Sequence, residues 1–116
     1  MDIYHGWCNL KPGVSDTDFA DAFARYMDHL KAAGKIHSAR LTRRKLGLGP
    51  AHLGEFHFMI EVTGLAQLDD AFSLVATRAG EVEGTHHGVN SLVQNVQFAL
   101  YRDFPDDVRQ RGEEKF

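Results

Sequence analysis

Hydrophobic and polar residues alternate most clearly between positions 54 and 62 of this chain. The even-numbered positions are uniformly apolar: Phe56, Phe58, Ile60 and Val62. The odd-numbered positions are mostly polar: Glu55, His57, Met59 and Glu61. Because successive side chains of an extended chain point to opposite faces, this pattern predicts a strand with one buried face. The other face carries a histidine and a glutamate on the same side.

Similar patterns predict three further strands, at residues 2–10, 36–45 and 92–102. A helical spacing of apolar residues begins after Ser15, which is suited to cap the first turn, and ends at Gly34. A second helix is predicted from Gly64 to Gly80. The weakest pattern belongs to residues 81–91, where we expect at most a short helical turn.

The order strand-helix-strand-strand-helix-strand predicts an α+β fold, a ferredoxin-like βαββαβ sandwich. We expect a four-stranded antiparallel sheet with two helices on one face. Its first and third strands should lie side by side at the centre, and we expect that central pair to run parallel. The ferredoxin-like domain should span residues 1–104. A charged C-terminal tail, residues 105–116, should dock on a partner subunit.

The sheet face away from the helices, which we call the open face, combines aromatic and polar residues. His5 and Trp7 of the first strand should neighbour His57, Met59 and Glu61 of the third. An exposed tryptophan with apolar neighbours suggests that another surface covers this face. Two copies of the chain packed through it would enclose a cavity. We therefore expect a homodimer that holds a small amphipathic ligand.

The element order, the length and the half-polar open face resemble the dimeric α/β-barrel superfamily, which includes small monooxygenases and muconolactone-isomerase-like proteins. The chain also resembles a small bacterial family of uncharacterised proteins, particularly in the segments Tyr4-His5-Gly6-Trp7-Cys8, Leu41–Gly47, Gly54–His57 and Tyr101–Pro105. The superfamily resemblance implies a homodimer whose two sheets face each other, forming an α/β barrel around a ligand-sized space. It implies no catalytic residue, because members of one fold carry out unrelated chemistry.

Histidine exchanges protons near neutral pH, so we predict catalytic roles for His57 and His5. Glu61 is predicted to orient one of these imidazoles and to raise its proton affinity. Arg40 and Tyr101 are suited to hold a carbonyl or carboxylate group. The remaining predicted ligand contacts are Trp7, Met59 and Gln97.

Two functional hypotheses follow from these residues. The first is a dimeric small-molecule-binding protein with cofactor-free monooxygenase-like or isomerase-like activity on a small amphipathic carbonyl or carboxylate compound. The alternative is a non-catalytic ligand carrier, sensor or dimeric assembly module. A third hypothesis is a metal site formed by His5, His57 and Glu61 with His86 or His87. The chain lacks a short metal-binding motif, so we expect no metal and no other cofactor.

Composition narrows the partners and the compartment. The net charge is −3, so general affinity for nucleic acid or for an anionic membrane is not expected, despite the basic cluster Arg43-Arg44-Lys45. The single cysteine, Cys8, excludes an intramolecular disulfide and is expected in the core. No apolar run approaches the roughly 20 residues that a membrane span requires. We therefore expect a cytoplasmic protein.

Overall fold

The computed structural model describes residues 1–78 and 80–105, and this part of the chain forms four strands and three helices. In chain order these are β1 (Asp2–Leu10), α1 (Asp16–Ala32), β2 (Ser38–Arg43), β3 (Phe56–Val62), α2 (Leu65–Ala76), α3 (Gly80–Asn90) and β4 (Val93–Arg102). The strands form one antiparallel sheet in the order β2-β3-β1-β4. The prediction of an α+β, ferredoxin-like fold is confirmed. The predicted docking of the C-terminal tail concerns residues that lie, from 106 onward, outside the described part of the chain.

The two central strands, β1 and β3, are adjacent as predicted, but the expectation that they run parallel is wrong. The helix α1 carries the chain from β1 across to β2, and such a crossover leaves those two strands parallel. β3 lies between them and follows β2 without an intervening helix. It therefore reverses direction and is antiparallel to both neighbours.

The helix predicted between Gly64 and Gly80 is wrong at its C-terminal end. The helix α2 stops at Ala76, and Gly80 begins the eleven-residue helix α3 instead of ending a helix. Arg78 and Gly80 have φ angles of +50° and +68°, in the left-handed region that interrupts a helix. The sequence pattern concealed α3 because its half-buried side has only two apolar residues, Val82 and Val89, among polar residues and a glycine.

The core lies between the helices and one face of the sheet. Ser15 caps α1 as predicted, since its hydroxyl oxygen accepts a hydrogen bond from the Asp18 N–H. The buried side of α1 packs against the apolar side of β3, and the main buried residues are Phe19, Phe23, Met27, Leu30, Phe56, Ile60 and Val62. Among the described helices, none is long and apolar enough to cross a membrane.

At the centre of this face, the ring of Phe58 lies over Gly6. Gly6 pairs with Phe58 of β3 on one side and with Phe98 of β4 on the other. A Cβ atom at position 6 would overlap the Phe58 ring. The ring is held in place by Phe23, 5.5 Å away between centroids, and by Phe98 at 6.3 Å. The absent side chain therefore allows three aromatic rings to meet above the central strand.

The edge strand β4 is incompletely covered on the helical side. Val96, Phe98 and Leu100 share that side, and 36%, 56% and 48% of their surfaces are exposed. Phe98 stacks on Tyr4 at 5.3 Å, so it is anchored to β1 but open above. Phe72 of α2, which is 48% exposed, packs edge-on to the same tyrosine. An apolar gap therefore separates β4 from the helices.

Replacing Gly6 with alanine should destabilise the protein by about 1–3 kcal/mol, because the new methyl group must displace the Phe58 ring from a packed site. Chemical denaturation measures the loss. The penalty should shrink in a Phe58→Leu background, since the ring is then gone. Gly84→Ala is the matched control: nothing lies within 4 Å of a Cβ at that helical position. That control should be neutral or stabilise by about 0.5–1 kcal/mol. Equal effects at both glycines would contradict the role of Gly6.

Candidate functional site

The open face brings the two predicted histidines into direct contact. Nδ1 of His5 lies 2.8 Å from Nε2 of His57, so one imidazole donates a hydrogen bond to the other. Trp7 and His57 are paired across β1 and β3, and their rings stack 4.6 Å apart with an interplanar angle of 6°. Tyr101 of β4 meets the edge of the His5 ring at 4.9 Å. These four residues form a continuous aromatic surface across three strands.

Burial lowers the pKa of His5, and burial together with the nearby His5 lowers the pKa of His57. Both directions follow from the geometry, because half-buried, stacked imidazoles lose water that would stabilise their charged forms. Protonation of both rings would also place two N–H groups against each other. The pair is therefore neutral at neutral pH.

The other predicted residues of the open face are placed around this pair. Met59 is opposite His5, and Gln97 is opposite Trp7. Arg40 lies beyond Met59 on β2 and is exposed. All three are therefore in the neighbourhood that the sequence predicted, although their proposed contacts with a ligand stay predictions.

Glu61 is separated from His57 along β3, although the register makes it a diagonal neighbour of His5. It pairs with Ile3 and Ser38, and its position four residues along β3 puts it about 13 Å from His57. A carboxylate beside an imidazole would raise the imidazole pKa, whereas the pKa of both histidines is lowered. The lowered pKa values therefore give no support to Glu61 as the partner of either ring, and its predicted role stays a prediction. A metal-binding group of three His, Cys, Asp or Glu side chains is also not found in the described residues.

A cavity lies on the opposite side of the sheet, between β1, β3, β4 and the three helices. Its volume is about 240 Å³, and its lining is mainly apolar. It reaches the protein surface at Phe72, Val96 and Phe98, which are 36–56% exposed. Four polar side chains take part in the lining: Tyr4, Tyr26, His86 and Asn90. A few polar groups in an apolar concavity are typical of small-molecule sites.

The polar groups of this cavity include a tyrosine and a histidine, and a carboxylate lies beside the histidine. The rings of Tyr26 on α1 and His86 on α3 are 5.5 Å apart. Nδ1 of His86 lies 3.7 Å from Oε2 of Glu83, one turn earlier on the same helix. Burial, assisted by Glu83 and Tyr4, raises the pKa of Tyr26 to about 12. Tyr26 therefore keeps its proton and can donate a hydrogen bond at any physiological pH.

No pattern in the sequence predicts this cavity as a site. The helical spacing places Tyr26 in the apolar stripe of α1, and His86 enters the sequence analysis only as a metal ligand. The spacing of Glu83 and His86, three residues apart, is a usable signal once α3 is recognised as a helix. Nothing in the sequence indicates that α3 lies beside α1. That placement is stabilised by the contact of His29 Nδ1 with Thr85 Oγ1 at 3.2 Å.

The basic cluster and the cysteine have structural roles. Arg43 bonds Asp16 and Glu55, each at 2.9 Å. Arg44 donates a hydrogen bond to the carbonyl oxygen of Leu53 at 2.6 Å and so fastens the loop between β2 and β3. Cys8 is fully buried, which raises its pKa to about 11 and keeps the thiol protonated. It is a core residue, as predicted.

Comparison with known proteins gives a family and a fold. The family model described as "Family of unknown function (DUF6614)" matches residues 1–116. No curated protein sequence matches the chain. A dimeric ferredoxin-like protein of unknown function from Jannaschia sp. has 11% identity and a TM-score of 0.64, covering 89% of this chain and 100% of its own.

Two further structures share the fold at 9% identity. SnoaB, a cofactor-independent oxygenase from Streptomyces nogalater, has a TM-score of 0.68, with 93% of this chain and 97% of that chain covered. A protein from Arabidopsis thaliana has a TM-score of 0.71, with 93% and 100% covered. Identities this low establish the architecture, which agrees with the superfamily resemblance seen in the sequence.

The lowered pKa values of His5 and His57 predict a pH-dependent stability. The unfolded chain titrates near 6.5 and binds protons that the folded pair resists, so the free energy of unfolding should fall as the pH drops below about 6.5. This loss of stability is complete at pH values below the pKa values of the two histidines in the folded protein, and it is absent well above pH 6.5. Urea denaturation between pH 5 and 8 measures it. The double variant His5→Asn, His57→Asn should flatten this part of the curve, whereas His52→Asn, in an exposed loop, should not.

Proposed function

We infer that this chain, which belongs to the family of unknown function DUF6614, is a homodimer that binds a small, mainly apolar molecule in each protomer. The single observation that supports ligand binding best is the cavity of about 240 Å³ between the helices and the sheet. Its volume is close to the lower limit of roughly 300 Å³ for typical ligand pockets. A small compound with one or two rings and a single polar group matches that volume and lining.

The exposed apolar residues around the cavity also favour a bound molecule. Phe72 and Phe98 present about half of their surfaces to solvent at its mouth. Large aromatic residues grouped this way are costly to leave in water, at roughly 25 cal/mol for each Å² of apolar surface. A ligand that enters between them removes that surface from water, which contributes favourably to its binding free energy.

The open face supports the homodimer. Trp7, His5 and Tyr101 form an aromatic surface that a second copy of the same face can cover by self-complementary packing. The fold neighbour from Jannaschia sp. is itself described as dimeric. We propose that the two sheets pack face to face through this surface, with the neutral His5–His57 hydrogen bond inside the interface.

In this proposal the open face of the sheet forms the dimer interface, and the helical face forms the ligand site. The predicted proton-transfer roles of His57 and His5 stay predictions, but their mutual hydrogen bond occupies one ring nitrogen of each. The cavity on the helical side instead has a histidine and two tyrosines in its lining. Of the two functional hypotheses, these groups favour an enzyme over a passive carrier. The cofactor-independent oxygenase among the fold neighbours is consistent with chemistry that needs no bound metal.

The proposed dimer makes Trp7 an interface residue. Trp7→Ala should weaken association by about 2 kcal/mol or more, roughly 30-fold in dissociation constant, as expected for a central tryptophan. Sedimentation equilibrium measures the change. Leu48→Ala, a 78% exposed residue of the loop between β2 and β3, is the control and should leave the dimer intact. A wild-type protein that sediments as a monomer at micromolar concentration would exclude the interface.

The cavity predicts where a ligand binds. We choose 2-tetralone as the probe, a bicyclic ketone with one polar atom, and follow amide chemical shifts by NMR. The residues that shift should line the cavity, and Val96→Trp, at its mouth, should lower affinity at least tenfold by filling the entrance. Leu65→Trp changes a 63% exposed residue of α2 and should bind normally. Shifts confined to the open face would support the sheet-to-sheet site predicted from the sequence instead.

A further inference from the structure

The carboxylate of Glu83 has a buried oxygen atom, Oε2, without a hydrogen-bond partner in the described part of the protein. The group nearest to it in the described contacts is Nδ1 of His86, at 3.7 Å. A buried, unpaired carboxylate oxygen costs free energy, and a positive charge close by offsets that cost. The Glu83 carboxylate therefore lies where it can balance the positive charge that the imidazole gains when it accepts a proton.

A histidine that acts as a base becomes a cation when it accepts a proton, and a nearby negative charge stabilises that cation. Nδ1 of His86 faces Glu83, so Nε2 is the ring nitrogen left to accept a proton from a molecule in the cavity. The same logic applies wherever a carboxylate supports a catalytic imidazole: the negative charge balances the imidazolium and holds the ring in one orientation.

Tyr26 completes the cluster from the other side. It lines the same cavity, and its ring is 5.5 Å from that of His86. Its neutral hydroxyl is a hydrogen-bond donor suited to an oxygen that gains negative charge when a neighbouring C–H or O–H bond loses its proton. The cavity thus has a proton acceptor and an oxyanion donor on two neighbouring rings, in otherwise apolar surroundings.

We propose that the cavity is a proton-transfer site for small, mainly apolar compounds with an acidic hydrogen next to a carbonyl group. Nε2 of His86 accepts the proton, the C–H electron pair moves into the carbonyl to form an enolate, and Tyr26 donates a hydrogen bond to the enolate oxygen. Glu83 is a positioning residue that stabilises the imidazolium. Return of the proton to the same or another carbon regenerates His86, so the net reaction is proton exchange or isomerisation and consumes no oxidant.

This assignment rests on the proposed function, because it requires a ligand in the cavity. The same probe therefore separates the two ideas. Binding of 2-tetralone is measured by NMR shifts, and proton transfer by the exchange of its hydrogens next to the carbonyl for deuterium in D2O. Exchange without protein gives the background rate.

Wild-type protein should accelerate the exchange, and His86→Ala should lower the accelerated rate about 100-fold, the usual contribution of a general base. His87→Ala is the matched control, since His87 is the next residue of α3 and is exposed. It should exchange the probe at the wild-type rate. His86→Gln, a closer match in size, should behave like the alanine variant, and 2-tetralone binding by both variants excludes loss of folding as the cause.

Glu83→Gln should lower the rate at saturating probe without changing the dissociation constant, since it removes the charge and not the shape. Glu83→Asp should recover part of the rate. If wild-type protein fails to bind the probe, the proposed function itself is wrong for this class of compound. Binding without accelerated exchange, or equal losses in the His86 and His87 variants, would overturn the proton-transfer site and leave the binding site standing.

Discussion

The contact between Gly6 and the ring of Phe58 is the constraint on which the arrangement of the sheet and the cavity depends. Glycine in the middle of a central strand ordinarily weakens a sheet. Here it provides the space for an aromatic ring that extends across β1 towards Phe98 of β4, and Phe98 in turn stacks on Tyr4. These rings form the sheet side of the cavity. The rings therefore give the cavity a concave apolar surface on the side of the sheet.

The two faces of one sheet consequently have different chemistry. On the open face, Trp7, His57 and His5 stack closely, and the histidines satisfy each other with a hydrogen bond. Burial disfavours their charged forms, so this surface suits contact with another protein surface. On the helical face, polar groups are fewer and are set among apolar residues, which strengthens their electrostatic interactions. The helical face is therefore the better environment for the proposed proton-transfer site.

The helix α3 provides two of the polar side chains that line the cavity, His86 and Asn90. It has glycines at positions 80, 84 and 88 and no fully buried residue, so its own helical propensity and core packing are weak. Contacts with α1 therefore hold it in place, through His29 with Thr85 and through Tyr26 with His86. The same contacts that position α3 bring His86 to the cavity, with Glu83 beside it. Structure and proposed chemistry thus depend on one small interface between two helices.

The sequence is sufficient to predict the elements whose side chains alternate or repeat strongly, namely β1, α1, β3 and β4, and hence the ferredoxin-like order and the open face. It brought His5, His57 and Trp7 together correctly, because a period of two leaves a strand residue only two possible faces. It did not determine the antiparallel direction of the central pair or the break between α2 and α3. Those depend on how crossovers are arranged in three dimensions and on left-handed residues such as Arg78. The distance between His86 and Tyr26, 60 residues apart in the chain, was decided by tertiary packing alone, since no local pattern encodes which helix lies beside which.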